Sequence, residues 1–169
     1  MHPDRPWLKQ RNAKTDEWEH VTYGEAKTQS HALAQAFLDM GAGPDAPVMI
    51  LSGNSIESGL VMMAAMTIGA PAAPISVPYS LMSTDFAKLK HTFNAVNPKV
   101  IFVQMLEPFK PALAALGDHG CTVIALEGAG GDVVSYTDLL STPVTDAVAN
   151  AMDALTDDGV GKYLFTSGS

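Results

Sequence analysis

Cysteine is nearly absent. Cys121 is the one cysteine in 169 residues, which excludes an intrachain disulfide, and no Cys/His cluster has the spacing of a zinc site. The histidines, at positions 2, 20, 31, 91 and 119, share no ligand spacing and read as surface or structural residues. Positive charge is scarce as well. Lys and Arg number 10 against 18 Asp and Glu, a formal net charge of −8, which argues against nucleic acid or any partner held by phosphate-backbone electrostatics. The longest apolar stretch, residues 59–73, contains Gly59, Gly69 and Pro71 and falls short of the roughly 20 residues of a membrane-spanning helix. The first residues, Met1-His2-Pro3-Asp4-Arg5-Pro6-Trp7, place no apolar segment behind a basic cluster. The expectation is a soluble, non-secreted protein, and a lone free thiol fits a reducing cytoplasm.

What is present is enough apolar surface, 47% of residues, for one sizeable core in a single domain spanning 1–169. Short β-rich runs alternate with helix-period segments and no repeat appears, which predicts an α/β layered fold with a largely parallel sheet and flanking helices. Thr22-Tyr23-Gly24-Glu25 has the form of a capping box. Ala26, Leu33, Phe37 and Met40 then fall on one helical stripe before Gly41. Residues 47–52 form an apolar run of strand length, and Asn54 and Ser55 offer N-caps for the next helix. In that helix Ile56, Leu60, Val61, Met63, Ala64, Met66 and Ile68 cover nearly the whole circumference, so burial on more than one side is expected. Strands are predicted near 72–76, 100–103 and 121–126. Ser83 is a candidate cap for a helix carrying Phe86, Leu89, Phe93 and Val96 and ending at Asn97-Pro98. Shorter helical segments are expected around 109–116, 136–140 and 146–155.

Met49, Met62, Met63 and Met66 read as core filler. Asp157-Asp158 reads as a solvated turn and Tyr79-Ser80 as a structural one. The stretch that carries chemistry is the last. Tyr163-Leu164-Phe165 is predicted to form a strand opening into Thr166-Ser167-Gly168-Ser169, where glycine permits close backbone approach and hydroxyl and amide groups can face anionic oxygens. Read alone, such a stretch is more often an ordinary exposed turn, and it is neither a Walker loop nor a dinucleotide fingerprint.

The segment from Tyr163 to Ser169 resembles the first half of the signature of adenylate-forming enzymes, which continues Thr-Gly-x-Pro-Lys-Gly. Trp18 followed by Val21-Thr22-Tyr23-Gly24-Glu25-Ala26 resembles that family's approach to its first helix, and the nine residues from Pro47 to Ser55 its next strand and turn. Residues 72–83 and 85–89 are similar to the feruloyl-CoA synthetase branch. The resemblance implies an amino-terminal part of the large domain of an AMP-forming acyl-CoA synthetase. ATP, Mg²⁺ and coenzyme A are the implied cofactors and co-substrates, and an aromatic, ferulate-like carboxylate the implied substrate. It also implies that Thr166, Ser167, Gly168 and Ser169 hold the β- and γ-phosphates of ATP, and that no catalytic residue lies before them. The rest of the loop, the magnesium carboxylate, the acyl pocket and the small carboxy-terminal domain are expected beyond Ser169, and a leading segment before Met1. Two alternatives stand beside this reading. One is a medium- or long-chain acyl activator or an adenylation domain that loads a carrier protein; the other is a non-catalytic, flavodoxin-like doubly wound module.

Overall fold

The computed structural model describes residues 2–12 and 14–166. It opens with two strands ahead of the first helix that the sequence does not predict. β1 (Pro6–Arg11) and β2 (Trp18–Thr22) pair antiparallel, and Asn12 Oδ1 accepts the N–H groups of Lys14 and Thr15 at 2.8 and 3.1 Å to begin the turn. α1 (Tyr23–Asp39) starts at the predicted capping box. Thr22 Oγ1 accepts the Glu25 N–H at 3.2 Å, and the Glu25 carboxylate accepts the Thr22 N–H at 2.9 Å. Gly41, at φ +84°, follows the helix in the left-handed region that glycine enters without strain.

The chain continues through β3 (Val48–Leu51), α2 (Ile56–Thr67), β4 (Ala72–Pro74), α3 (Pro78–Leu81), α4 (Ala87–Val96), β5 (Val100–Met105) and α5 (Leu106–Ala115). β6 (Thr122–Glu127), β7 (Val134–Ser135), α6 (Tyr136–Leu139) and α7 (Asp146–Asp153) complete it. Strands β3 to β7 form one parallel sheet of five, in the order β4-β3-β5-β6-β7. Side chains alternate across it as the pleat requires. Val48, Ile50, Val100, Phe102 and Ile124 join the core under α1, α2, α6 and α7. Met49, Leu51, Ile101, Val103 and Ala125 join the core under α4 and α5. Covering both faces is why these strands read as unbroken apolar runs. The predicted α/β fold with flanking helices is therefore the observed one.

Four local expectations need correction. Ser83 does not cap α4 directly. Its Oγ accepts the Phe86 N–H at 2.9 Å, and the Asp85 carboxylate accepts the Ala87 N–H at 3.0 Å, so a polar turn precedes the helix and places Phe86 at φ 54°. A helical turn, α3, forms where only a turn was expected, with the Lys88 Nζ 5.2 Å above the Tyr79 ring. Residues 163–165 form no strand; an isolated parallel bridge joins Lys162 to Ala72 instead. Finally, Met49 is fully buried, but Met62 and Met63 are half-buried and Met66 is 38% exposed, so α2 keeps an uncovered apolar face.

Candidate functional site at the carboxyl end of the sheet

In an open parallel sheet, ligands bind outside the carboxyl ends of the strands, where the strand order reverses. Here that point lies between β3 and β5, because the chain moves outward from β3 to β4 on one side and from β5 to β7 on the other. β3 is followed by Ser52, which donates from Oγ to the Gly53 carbonyl at 2.9 Å and to Gln104 Oε1, on β5, at 3.4 Å. Ser55 then caps α2. Its Oγ accepts the Ser58 N–H at 3.0 Å, and Ser58 Oγ accepts the Ser55 N–H at 3.1 Å.

The hairpin leans over this end of the sheet. Gln10 Oε1 accepts the Ile56 N–H at 2.7 Å, so β1 supplies an acceptor for a first-turn donor of α2. The Glu19 carboxylate in turn accepts Asn12 Nδ2 at 2.6 Å and Gln10 Nε2 at 3.5 Å. Lys14 reaches Glu127 at the end of β6 across 3.3 Å, an exposed pair worth about 0–1 kcal/mol. Between hairpin and sheet lies a crevice of about 580 Å³ whose walls include Arg11, Asn54, Glu57 and Gln104. Behind it Tyr136 is buried against Phe102, ring centroids 5.7 Å apart, and burial together with the nearby Glu57 pushes its phenol ionisation up. Its hydroxyl has no hydrogen-bond partner among the described residues. The signal for this crevice lay in polar Gln104 near the end of an otherwise apolar β5 and in Asn54-Ser55 just after β3.

A second hollow of about 430 Å³ lies at the same end on the β4 side, between Ser52-Gly53-Asn54 and residues 74–78. The last described residues are brought toward it. The Ala72 N–H donates to the Gly161 carbonyl and the Tyr163 N–H to the Ala72 carbonyl, both at 3.0 Å. The chain thus runs parallel to β4 and climbs toward the carboxyl end. Phe165 packs into the core under α4 and α5, and Thr166 follows it, exposed. Ser167, Gly168 and Ser169, the other predicted phosphate-binding residues, lie outside the described residues. Asp157 and Asp158 are exposed in a turn. Among the described residues no group of three or more His, Cys, Asp or Glu is placed to hold a metal ion, and no helix is long and apolar enough to cross a membrane.

The profile of one family, the AMP-binding enzymes, matches residues 1–169. No curated protein matches. Among solved structures, ATP-bound MatB from Rhodopseudomonas palustris superposes with a TM-score of 0.70 at 21% identity, covering 98% of this chain and 30% of that one. A benzoate CoA ligase from Burkholderia xenovorans LB400 gives 0.69 at 15%, covering 86% and 27%. An acyl-CoA synthetase from Brucella canis gives 0.70 at 14%, covering 85% and 26%. This chain therefore spans less than a third of the length of each, and the likeness at such identity is one of fold.

Proposed function

We propose, from the premise that the chain belongs to the AMP-binding enzyme family, that it is the amino-terminal part of the large domain of an AMP-forming acid–CoA ligase acting in the cytoplasm. The observation that carries this reading is the course of residues 161–166. Hydrogen-bonded along β4, they deliver the start of the signature-like segment to the carboxyl end of the sheet, where ligand sites of such folds lie. Thr166, Ser167, Gly168 and Ser169 hold the β- and γ-phosphates. A substrate carboxylate oxygen forms a bond to the α-phosphorus of ATP while the bond from that phosphorus to the bridging oxygen breaks, releasing pyrophosphate. The thiol of coenzyme A then adds to the acyl carbon and AMP leaves. These four residues act only on the first half-reaction, by positioning the leaving pyrophosphate and meeting its charge. Mg²⁺, when bound, supplies further charge neutralisation, and its ligands are carried by chain beyond these residues. The acid is aromatic and hydroxycinnamate-like, a choice supported by the stretches 72–83 and 85–89.

The test is a triple variant of the full-length parent, Thr166→Ala with Ser167→Ala and Ser169→Ala. Preorganised donors at developing charge are worth about 2.7–4 kcal/mol each at the strong end and are seldom additive. Adenylation should fall at least about a hundredfold, whereas thioester formation from pre-made acyl-adenylate should be much less affected, because that step contains no pyrophosphate. Equal loss in both steps from a folded variant overturns the assignment. Ferulate turning over no faster than benzoate or a long-chain fatty acid overturns the substrate choice alone.

A further inference from the structure

The uncovered face of α2 forms one wall of an apolar groove of about 580 Å³, lined by Trp7, Leu8, Met62, Met66, Met152 and Leu155 among others, with no charged residue in its walls. Met66, Met152 and Leu155 are 38%, 42% and 49% exposed. A contiguous apolar surface of this kind marks a contact site, and methionines suit one because they repack easily.

It is not built to receive the substrate acid. α2 starts with Ser55 at the carboxyl end of the sheet, so Met66 and Thr67, in its last turn, lie toward the opposite end. A carboxylate would also find no cation there, since the walls carry no charged residue, and the one hydroxyl among them, on Thr67, already donates to the Met63 carbonyl at 2.8 Å. Nor does the groove stop at α2. A Cβ at Gly161 would lie 3.8 Å from Met66 Cε, so the apolar surface continues to the chain that borders β4, beside Val160 at 50% exposure. In the MatB structure, the equivalent of this chain is 30% of the polypeptide. Resting on the reading of this chain as part of a longer ligase, we propose that the groove is an intramolecular interface, covered in the parent by an apolar face of the polypeptide that follows residue 169.

Native methionines report on this without substitution. Peroxide converts accessible methionine to sulfoxide, and each site's rate is read by mass spectrometry in the folded parent against the same site in guanidine-unfolded parent. Met66 and Met152 should each be slowed at least about tenfold, at every protein concentration and without added acid, while exposure as seen in this structure would slow them less than about threefold. Rates within threefold of the unfolded ones overturn the proposal. So does protection that disappears on dilution, which would mean a second copy, or protection that requires a fatty or aromatic acid, which would mean a ligand. Adenylation activity of the same preparation is scored separately. An active parent with unprotected methionines sinks the interface alone, whereas an inactive parent with protected ones sinks the functional reading alone.

Discussion

At the scale of single residues, the firmest local constraint is the reciprocal pair at the start of α1. Glu25 is held below its ordinary value of 4.5 because its carboxylate accepts first the Thr22 N–H and then the Thr22 hydroxyl. A carboxyl whose folded pKa is depressed contributes stability above its unfolded pKa, and that contribution is lost as pH falls through the folded one. Stability should therefore decline from about pH 4.5 downward. Glu25→Gln should be less stable at neutral pH and show a shallower decline below pH 4.5, measured as the urea midpoint across pH. An unchanged slope would mean that this carboxylate is not part of the acid response. Thr22→Ala, which removes the cap itself, should cost about 0.5–2 kcal/mol at neutral pH.

Among elements, the hairpin and α2 depend on one another through a glycine. A Cβ at Gly59 would lie 2.7 Å from Leu8 Cδ1 and 3.8 Å from Trp7 Cη2, so β1 packs directly on the helix backbone there. Gly59→Leu gains helix propensity of somewhat under about 1 kcal/mol but overfills this contact, at a typical cost of about 1–3 kcal/mol. The second effect should win, lifting the hairpin and weakening the Gln10 bond to Ile56. Trp7 is half-buried while Trp18 is 69% exposed, so a red shift in tryptophan emission would report Trp7 entering water. A variant with unchanged emission and a higher urea midpoint would show that Leu8 simply moves aside. The helix stripe of α1 was legible in the sequence, because its periodicity and cap act within a few residues. The hairpin was not, since its partners lie across a turn and its strands are mostly exposed on one face.

For the whole molecule, an uncovered apolar groove has a physical cost. The 169-residue chain by itself should be marginally stable or self-associating, because transiently or permanently exposed apolar surface drives aggregation and the loss of one interface is comparable with a total stability of about 5–15 kcal/mol. A sharp, reversible, monomeric thermal transition would contradict this. On the functional reading proposed above, the same chain mixed with ATP and ferulate should release pyrophosphate no faster than a protein-free blank; reproducible turnover would mean that the catalytic groups lie within it.

The sequence by itself determined what local rules govern: the caps at Thr22 and Ser55, the apolar strands 48–51 and 100–103 and the left-handed stop at Gly41. These depend on neighbours a few residues away or on side chains that must alternate across a buried sheet. Tertiary structure alone decided that β3 and β5 flank the switch point, that Gln10 reaches Ile56, 46 positions along the chain, and that 161–163 line up beside Ala72. It also decided that one face of α2 stays uncovered although its sequence is apolar all round. The physical reason is that periodicity states which surfaces are apolar, whereas only the arrangement of distant elements determines which of those surfaces find a partner.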